Sequence, residues 1–245
     1  MVNIVCMKWG TKFDASYVNK LYGMVKRNLT LPFRFVCFTD DSSGIRDEVE
    51  IKPLPELELD PSLPERGWRK LTMFQKKLED LKGTTLFLDL DVVIVDNIDD
   101  FFKIEGDFFI AYDARKPKYG VGNSSVFRFE IGKYPQIYEN FIKNFETIRK
   151  EVRHEQAYLC KEMVKLNKFN FWPTKWTVSF KYHCIPSFLG SFFKKPFIPK
   201  DAKIILFHGL PNPPEAAKGI SGKWYRRFQP ATWINEYWID ILKKV

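Results

Sequence analysis

The run at residues 84–95, TTLFLDLDVVIV, sets two carboxylates, Asp89 and Asp91, into an otherwise apolar stretch. Such a run, rich in β-branched residues, reads as a strand of a central sheet covered on both faces. Ionised carboxylates two positions apart repel each other, and burial raises their proton affinity further. The pattern therefore calls for a cation. A hard divalent ion, Mn²⁺ or Mg²⁺, is the economical choice, because it takes oxygen ligands and is commonly shared between carboxylates and nucleotide phosphates. The plain alternative is a pair of aspartates that cap a strand end, and the apolar flanks weigh against it.

Around this run, strand-like and helix-like patterns alternate, which predicts an α/β fold with a mixed, mainly parallel central sheet and helices on both faces. Residues 3–7 and 33–39 read as strands, separated by a helix that Asp14 caps and whose Val18, Leu21, Tyr22 and Val25 share a face. Asp40 and Asp41 follow the second strand, where ligands of open α/β sheets bind, although capping the turn is the commoner job for such residues. Residues 52–64 read as an irregular loop. Leu71, Phe74, Leu78 and Leu81 predict a helix with Lys70 near its first turn and Gly83 at its stop. Strands are expected at 107–112, at 203–208 and from Asn123. Pro135 opens one amphipathic helix carrying Ile137, Phe141, Phe145 and Ile148, and a further helix includes His154, Glu155 and Gln156. Residue 158 is tyrosine, so the last of these is no His-Glu-x-x-His zinc motif.

Charge is unevenly spread. From residue 181 onward there are eleven Lys and Arg against four Asp and Glu, so that segment contributes +7 of the formal +9. We read the chain as one domain over 1–219 with a basic, aromatic helical extension over 220–245. Trp224, Tyr225, Arg226, Arg227 and Trp233 lie in that extension, and Phe188, Phe192, Phe193 and Phe197 stand among Lys194, Lys195 and Lys200. Such a surface suits peripheral contact with an anionic membrane, and no nucleic-acid motif accompanies it. The four cysteines form no Cys-x-x-Cys pair, and no signal-peptide pattern or bilayer-length apolar span is present, so a cytoplasmic location is expected.

Taken in order, these features resemble a nucleotide-sugar glycosyltransferase of the GT-A fold, in the layout of glycosyltransferase family 8 and its bacterial relatives. The points of likeness are the N-terminal βα unit, Lys70 before the metal motif, LFLDLDVVIV, the Asn-Ser-Ser-Val-Phe strand, the Glu155-Gln156 pair and the late His208-Gly209. The resemblance implies a UDP-sugar donor, a glycan or lipid-linked acceptor and Mn²⁺ or Mg²⁺ held by Asp89, Asp91 and His208. It places Lys70, Asp89, Asn123, Gly209 and Lys218 against the donor, and Glu155 and Gln156 beside the reacting carbon. Relatives usually carry Asp-Gln where this chain has Glu155-Gln156, and a glycine where it has Ser125.

Two rival readings remain at the level of sequence. Asp-x-Asp followed by β-branched residues also matches the nucleophile and acid/base pair of haloacid-dehalogenase-type phosphatases, although two βα-like units precede Asp89 here. A non-catalytic anion- or nucleic-acid-binding module would use the basic aromatic C-terminus instead.

Overall fold

The first strand, β1 (Val2–Lys8), leads into helix α1 (Ala15–Asn28), where Asp14 Oδ1 accepts from the Ser16 amide at 2.9 Å and so starts the helix. The computed structural model describes residues 1–57, 59, 67–115, 121–187, 190–222 and 227–240. Strands β2 (Phe33–Thr39), β3 (Glu50–Pro53), β4 (Thr84–Leu88), β6 (Phe109–Tyr112) and β7 (Gly122–Glu130) join β1 in a six-stranded sheet of order β3-β2-β1-β4-β7-β6. The first four strands are mutually parallel, while β7 runs antiparallel to both β4 and β6. A smaller sheet pairs β5 (Val93–Ile94) with β9 (Ile204–Leu206), and β9 with β8 (Thr177–Ser179).

Alternation along the strands sends side chains to two cores. Ile4, Cys6, Leu86 and Leu88 pack with α1 and the small sheet, whereas Val5, Met7 and Phe87 pack with helices on the opposite face. Those helices are α3 (Gln136–Lys143), α4 (Phe145–Glu151) and α5 (Glu155–Lys165), while the short α2 (Asp100–Lys103) puts Phe101 into the first core. The mainly parallel sheet with helices on both faces is thus the architecture expected from the sequence.

Local expectations fared unevenly. The run at 84–95 is not one strand: β4 ends at Leu88, Asp89-Leu90-Asp91 turns, and Val93 and Ile94 join the second sheet. Leu86 and Leu88 before the break and Val93 and Ile94 after it pack into one core from two different sheets, so an apolar run does not reveal where the strand ends. The helix expected from Leu71 onward is a 3-10 helix, Trp68–Phe74, that stops where Gln75 becomes extended; Leu78 and Leu81 instead close a tight turn with Glu79 at φ 51°. All four apolar residues are buried, so their spacing reported burial rather than helical geometry. The helix expected across 137–148 breaks at Asn144, which bonds back to Asn140 through both backbone and side chain. The stretch expected to be irregular from residue 52 begins inside β3.

The C-terminal segment packs onto the main body. Phe228, Ala231, Ile234 and Trp238 belong to the same core as α1, and helix α7 (Ile234–Tyr237) lies there. Arg27 donates to the carbonyl of Tyr237, and Arg46 pairs with Asp240 at 2.8 Å.

Candidate active site

Asp89 and Asp91 stand just beyond the carboxyl end of β4, a central strand, which is where open α/β sheets place their ligands. Lys70, in the first turn of the 3-10 helix, reaches across and donates to Asp89 Oδ1 at 2.7 Å and Oδ2 at 2.8 Å. Burial opposes the charge on Lys70, but Asp89, Glu155 and Asp91 outweigh it and raise its pKa. Asp91 is buried, and burial together with repulsion from Asp89 pushes its carboxyl up to about 7, while Lys12 and Lys70 pull against that rise. These groups floor a cleft of about 270 Å³ whose walls include Trp9, Lys12 and Phe13 from the β1–α1 loop. That loop is cross-locked to the next one: Asp40 Oδ2 accepts from the Gly10 amide at 2.9 Å, and the Lys8 ammonium donates to the Asp41 carbonyl at 2.9 Å. Asp41 caps its own turn, its Oδ1 accepting from the Ser43 amide at 2.9 Å, while Asp40 ties the two loops together.

Strand β7 supplies the second wall. Ile110 of β6 faces Phe127, yet Ala111 faces Asn123 rather than Val126, so a bulge of three residues interrupts the ladder at 124–126. The Asn123 side chain then turns inward, with Oδ1 accepting from the Ser125 amide at 2.8 Å and Nδ2 3.1 Å from His208 Nδ1. Ser124 Oγ donates to Glu155 Oε1 at 2.5 Å and lies 3.5 Å from the Lys70 ammonium. Gly67, at φ 79°, faces the same carboxylate, and a Cβ there would stand 2.6 Å from Glu155 Oε2. Gln156 Nε2 donates to Asp113 Oδ2 at 3.3 Å. Asp113 is fully buried, and Arg115 grips both of its oxygens at 2.8 Å. Burial opposes that charge, but Arg115 holds the carboxyl below its ordinary range. Burial, and then the neighbouring Arg115, push the His208 imidazole down to about 4.

Lys70, Asp89, Asp91, Glu155 and Ser124 thus meet in one place, joined through β7 to Asn123 and His208. Among the described residues no three His, Cys, Asp or Glu side chains are gathered tightly enough to hold a metal as they stand, so Asp89, Asp91 and His208 do not form a closed ligand set. The donor chemistry nevertheless fits a divalent cation. Asp91 is a buried carboxylate whose charge a cation would stabilise, and His208 Nε2 is buried with no hydrogen-bond partner among the described residues. Gly209, at φ 59°, follows His208 with open space around it. Lys218 is exposed at the C-cap of helix α6 (Pro213–Ala217), and among the described residues no contact joins it to the aspartates. A wider depression of about 570 Å³ beside Trp176 lies elsewhere, and its lysines are already paired, Lys203 with Asp100 at 3.0 Å and Lys175 with Asp201 at 3.3 Å.

Sequence reasoning missed Trp9, Lys12, Gly67, Asp113, Arg115 and Ser124. Trp9 and Asp113 each sit just past a strand's carboxyl end, the signal that drew attention to Asp40 and Asp41, whereas Asp89 stood out as charge in an apolar run.

This sheet order, with its motif after β4 and its return through β7, is the GT-A fold. The sequence itself matches no protein-family profile and no curated protein sequence. Among solved structures, the chain is similar to galactosyltransferase LgtC in complex with donor and acceptor sugar analogs, at TM-score 0.62 and 12% identity, covering 96% of this chain and 94% of that one. An active-site mutant of LgtC gives TM-score 0.61 at 10% identity with the same coverage. The glycosyltransferase GlyE of Streptococcus pneumoniae TIGR4 is similar at TM-score 0.59 and 14% identity over 87% of this chain and 56% of that one.

Proposed function

We propose that this protein transfers a sugar from a UDP-sugar donor to a glycan or glycolipid acceptor, using Mn²⁺ or Mg²⁺ held by Asp89, Asp91 and His208. The observation that carries the reading is the Lys70–Asp89–Asp91 cluster, with Asp91 buried, flooring a cleft at the carboxyl end of β4 in a fold shared with sugar-transferring enzymes. A bound divalent ion supplies Lewis-acid stabilisation of the charge that builds on the departing diphosphate. The protein's own groups do the rest. Lys12 and Lys70 bring positive charge to the same cleft, with Lys70 also restraining Asp89. Trp9 and Phe13 offer aromatic walls to base and ribose. This reading assigns Asn123, Glu155 and Gln156 to the sugar end and Gly209 and Lys218 to the diphosphate, with Lys218 making no contact to the aspartates among the described residues. No side chain has to protonate the leaving group, which departs as an anion, and that group is able to take the acceptor's proton in a retaining transfer.

Thermal unfolding with UDP, with Mn²⁺ and with both, repeated on Asp91→Ala, tests this reading, because a ligand specific to the folded state raises apparent stability. The expected result is a joint shift larger than either alone and lost in the variant. No shift with any nucleoside diphosphate would remove the reading.

The same reading includes peripheral contact with an anionic membrane. Phe193 is 88% exposed and Phe197 is also exposed, close in sequence to exposed Lys194, Lys195 and Lys200. Phe188, Trp224, Tyr225 and Arg226, part of the same expectation, lie outside the described residues. No described helix is long and apolar enough to cross a membrane. Sedimentation with anionic liposomes at low salt, weakened in Phe193→Ser, is the expected outcome; failure to sediment would remove the membrane clause.

A further inference from the structure

The bulge in β7 serves a purpose that the glycosyltransferase reading alone does not assign. In a regular ladder the side chains of Ser124 and Val126 would project from the same face of the sheet, and Val126 packs into the core beneath α1. Ser124 Oγ instead meets α5 and the 3-10 helix, which cover the opposite face. The three-residue register jump between Ile110 and Ala111 is what re-aims it.

What Ser124 reaches is the Glu155 carboxylate, the first residue of α5, which is only 6% exposed. One oxygen accepts the Ser124 hydroxyl, and the other lies where Gly67 has no side chain. A Cβ at Gly67 would come within 2.6 Å of that oxygen, so the glycine makes room for a carboxylate of this length. Ser124 also touches the Lys70 ammonium through both its carbonyl, at 3.4 Å, and its hydroxyl, at 3.5 Å. It therefore stands between the residue that restrains Asp89 and the carboxylate on the far side of the site.

We propose that Ser124 is a positioning residue, re-aimed by the β7 bulge, that with Gly67 seats Glu155 so that its carboxylate addresses the sugar of the donor and not its nucleotide. This rests on the nucleotide-sugar reading. It predicts a separation that a purely structural serine would not give, because binding of UDP alone does not call on Glu155.

Calorimetric titration of UDP, UDP-glucose and UDP-galactose in Mn²⁺ supplies the test, on wild type, Ser124→Ala, Glu155→Ala and the double variant. Ser124→Ala is expected to keep UDP affinity within about twofold and to lose at least fivefold in the affinity that the better-bound sugar adds. On the Glu155→Ala background the same change is expected to add nothing, since the serine acts through that carboxylate. An equal loss for UDP and UDP-sugar overturns the proposal, as does an undiminished loss on the Glu155→Ala background or a sugar that adds no affinity even in wild type. Should Ser124→Ala fail to fold, Ser124→Cys, nearly isosteric but a weak donor, is expected to show the same selective loss. A wild-type protein that binds no UDP would remove the donor reading itself and the positioning role with it, a failure distinct from one seen only in the variants.

Discussion

Both carboxylate oxygens of Asp89 are held by a single cation, the Lys70 ammonium, at 2.7 and 2.8 Å. Lys70 and Asp89 lie 19 positions apart in sequence, and each alone would be costly to bury. Lys70→Met keeps the stem and removes the charge, leaving two carboxylates without their shared partner. We expect a loss of about 2 kcal/mol in urea unfolding at pH 8, below the scale for a fully buried pair because Asp89 keeps 23% of its side-chain exposure, and partial recovery on adding Mn²⁺. Unchanged stability would show that Asp89 finds another partner.

Asp91 and His208 give opposite pH signatures. Burial and Asp89 raise the Asp91 carboxyl to about 7, above its unfolded value, so the folded state holds the extra proton between roughly pH 4 and 7. The stability this group allows is complete below about pH 4 and is lost as pH rises through about 7. His208 is depressed to about 4, so its contribution is complete above about pH 6.5 and is lost as pH falls through about 4. In wild type the two slopes nearly cancel between about pH 4 and 6.5, whereas in Asp91→Asn the falling one vanishes and stability is expected to rise across that range. Parallel pH profiles for wild type and variant, read by chemical unfolding, would contradict this.

Much of the site was legible because buried charge is conspicuous against an apolar background. Asp89, Asp91, Lys70, Asn123 and Glu155 were each singled out, and Glu155 proves to be seated beside Ser124 and Gly67. The α/β class was legible as alternation, since strand-like runs sit between amphipathic segments, but the strand order was not, because pairing partners leave no mark in a run read alone. Ser124 was not legible as a distinct contact, because a bulge is a property of the pairing with β6 and leaves no mark within β7. Asp113 was missed for a related reason: its weight comes from the Arg115 fork and from Gln156, 43 positions away. The break after Leu88 escaped notice because apolar residues on either side serve different sheets.

The Asn123–His208 contact sets a tautomer. Asn123 Oδ1 is taken by the Ser125 amide, so its Nδ2 donates to His208 Nδ1, which places the proton of the neutral ring on Nε2. A metal at Nε2 requires that proton to move to Nδ1 and the Asn123 amide to turn its oxygen toward the ring, giving up the Ser125 amide. Long-range proton–nitrogen NMR is expected to show the Nε2–H form in the free protein and the Nδ1–H form once Mg²⁺ and UDP are added. An Nδ1–H ring in the free protein would contradict the assignment.

Arg115 carries the charge balance for Asp113, which has no exposure of its own. Arg115→Ala leaves that carboxylate only Gln156 and the backbone amide at position 115, and we expect a stability loss on the order of 2 kcal/mol at neutral pH, less than for a fully buried pair because Arg115 is itself 39% exposed. The double variant Arg115→Ala with Asp113→Asn is expected to recover most of it, since an amide has no charge to strand. Urea unfolding of the four proteins closes the cycle, and an additive result would separate the two residues.

The central claim is that the cleft beneath Lys70 binds a nucleoside diphosphate through a divalent ion and the aspartates. Its most direct test is calorimetric titration of UDP into the protein with Mn²⁺ and again with chelator present. The account predicts binding at least tenfold tighter with Mn²⁺, and that gain lost in Asp91→Ala. UDP affinity indifferent both to metal and to Asp91 would contradict it.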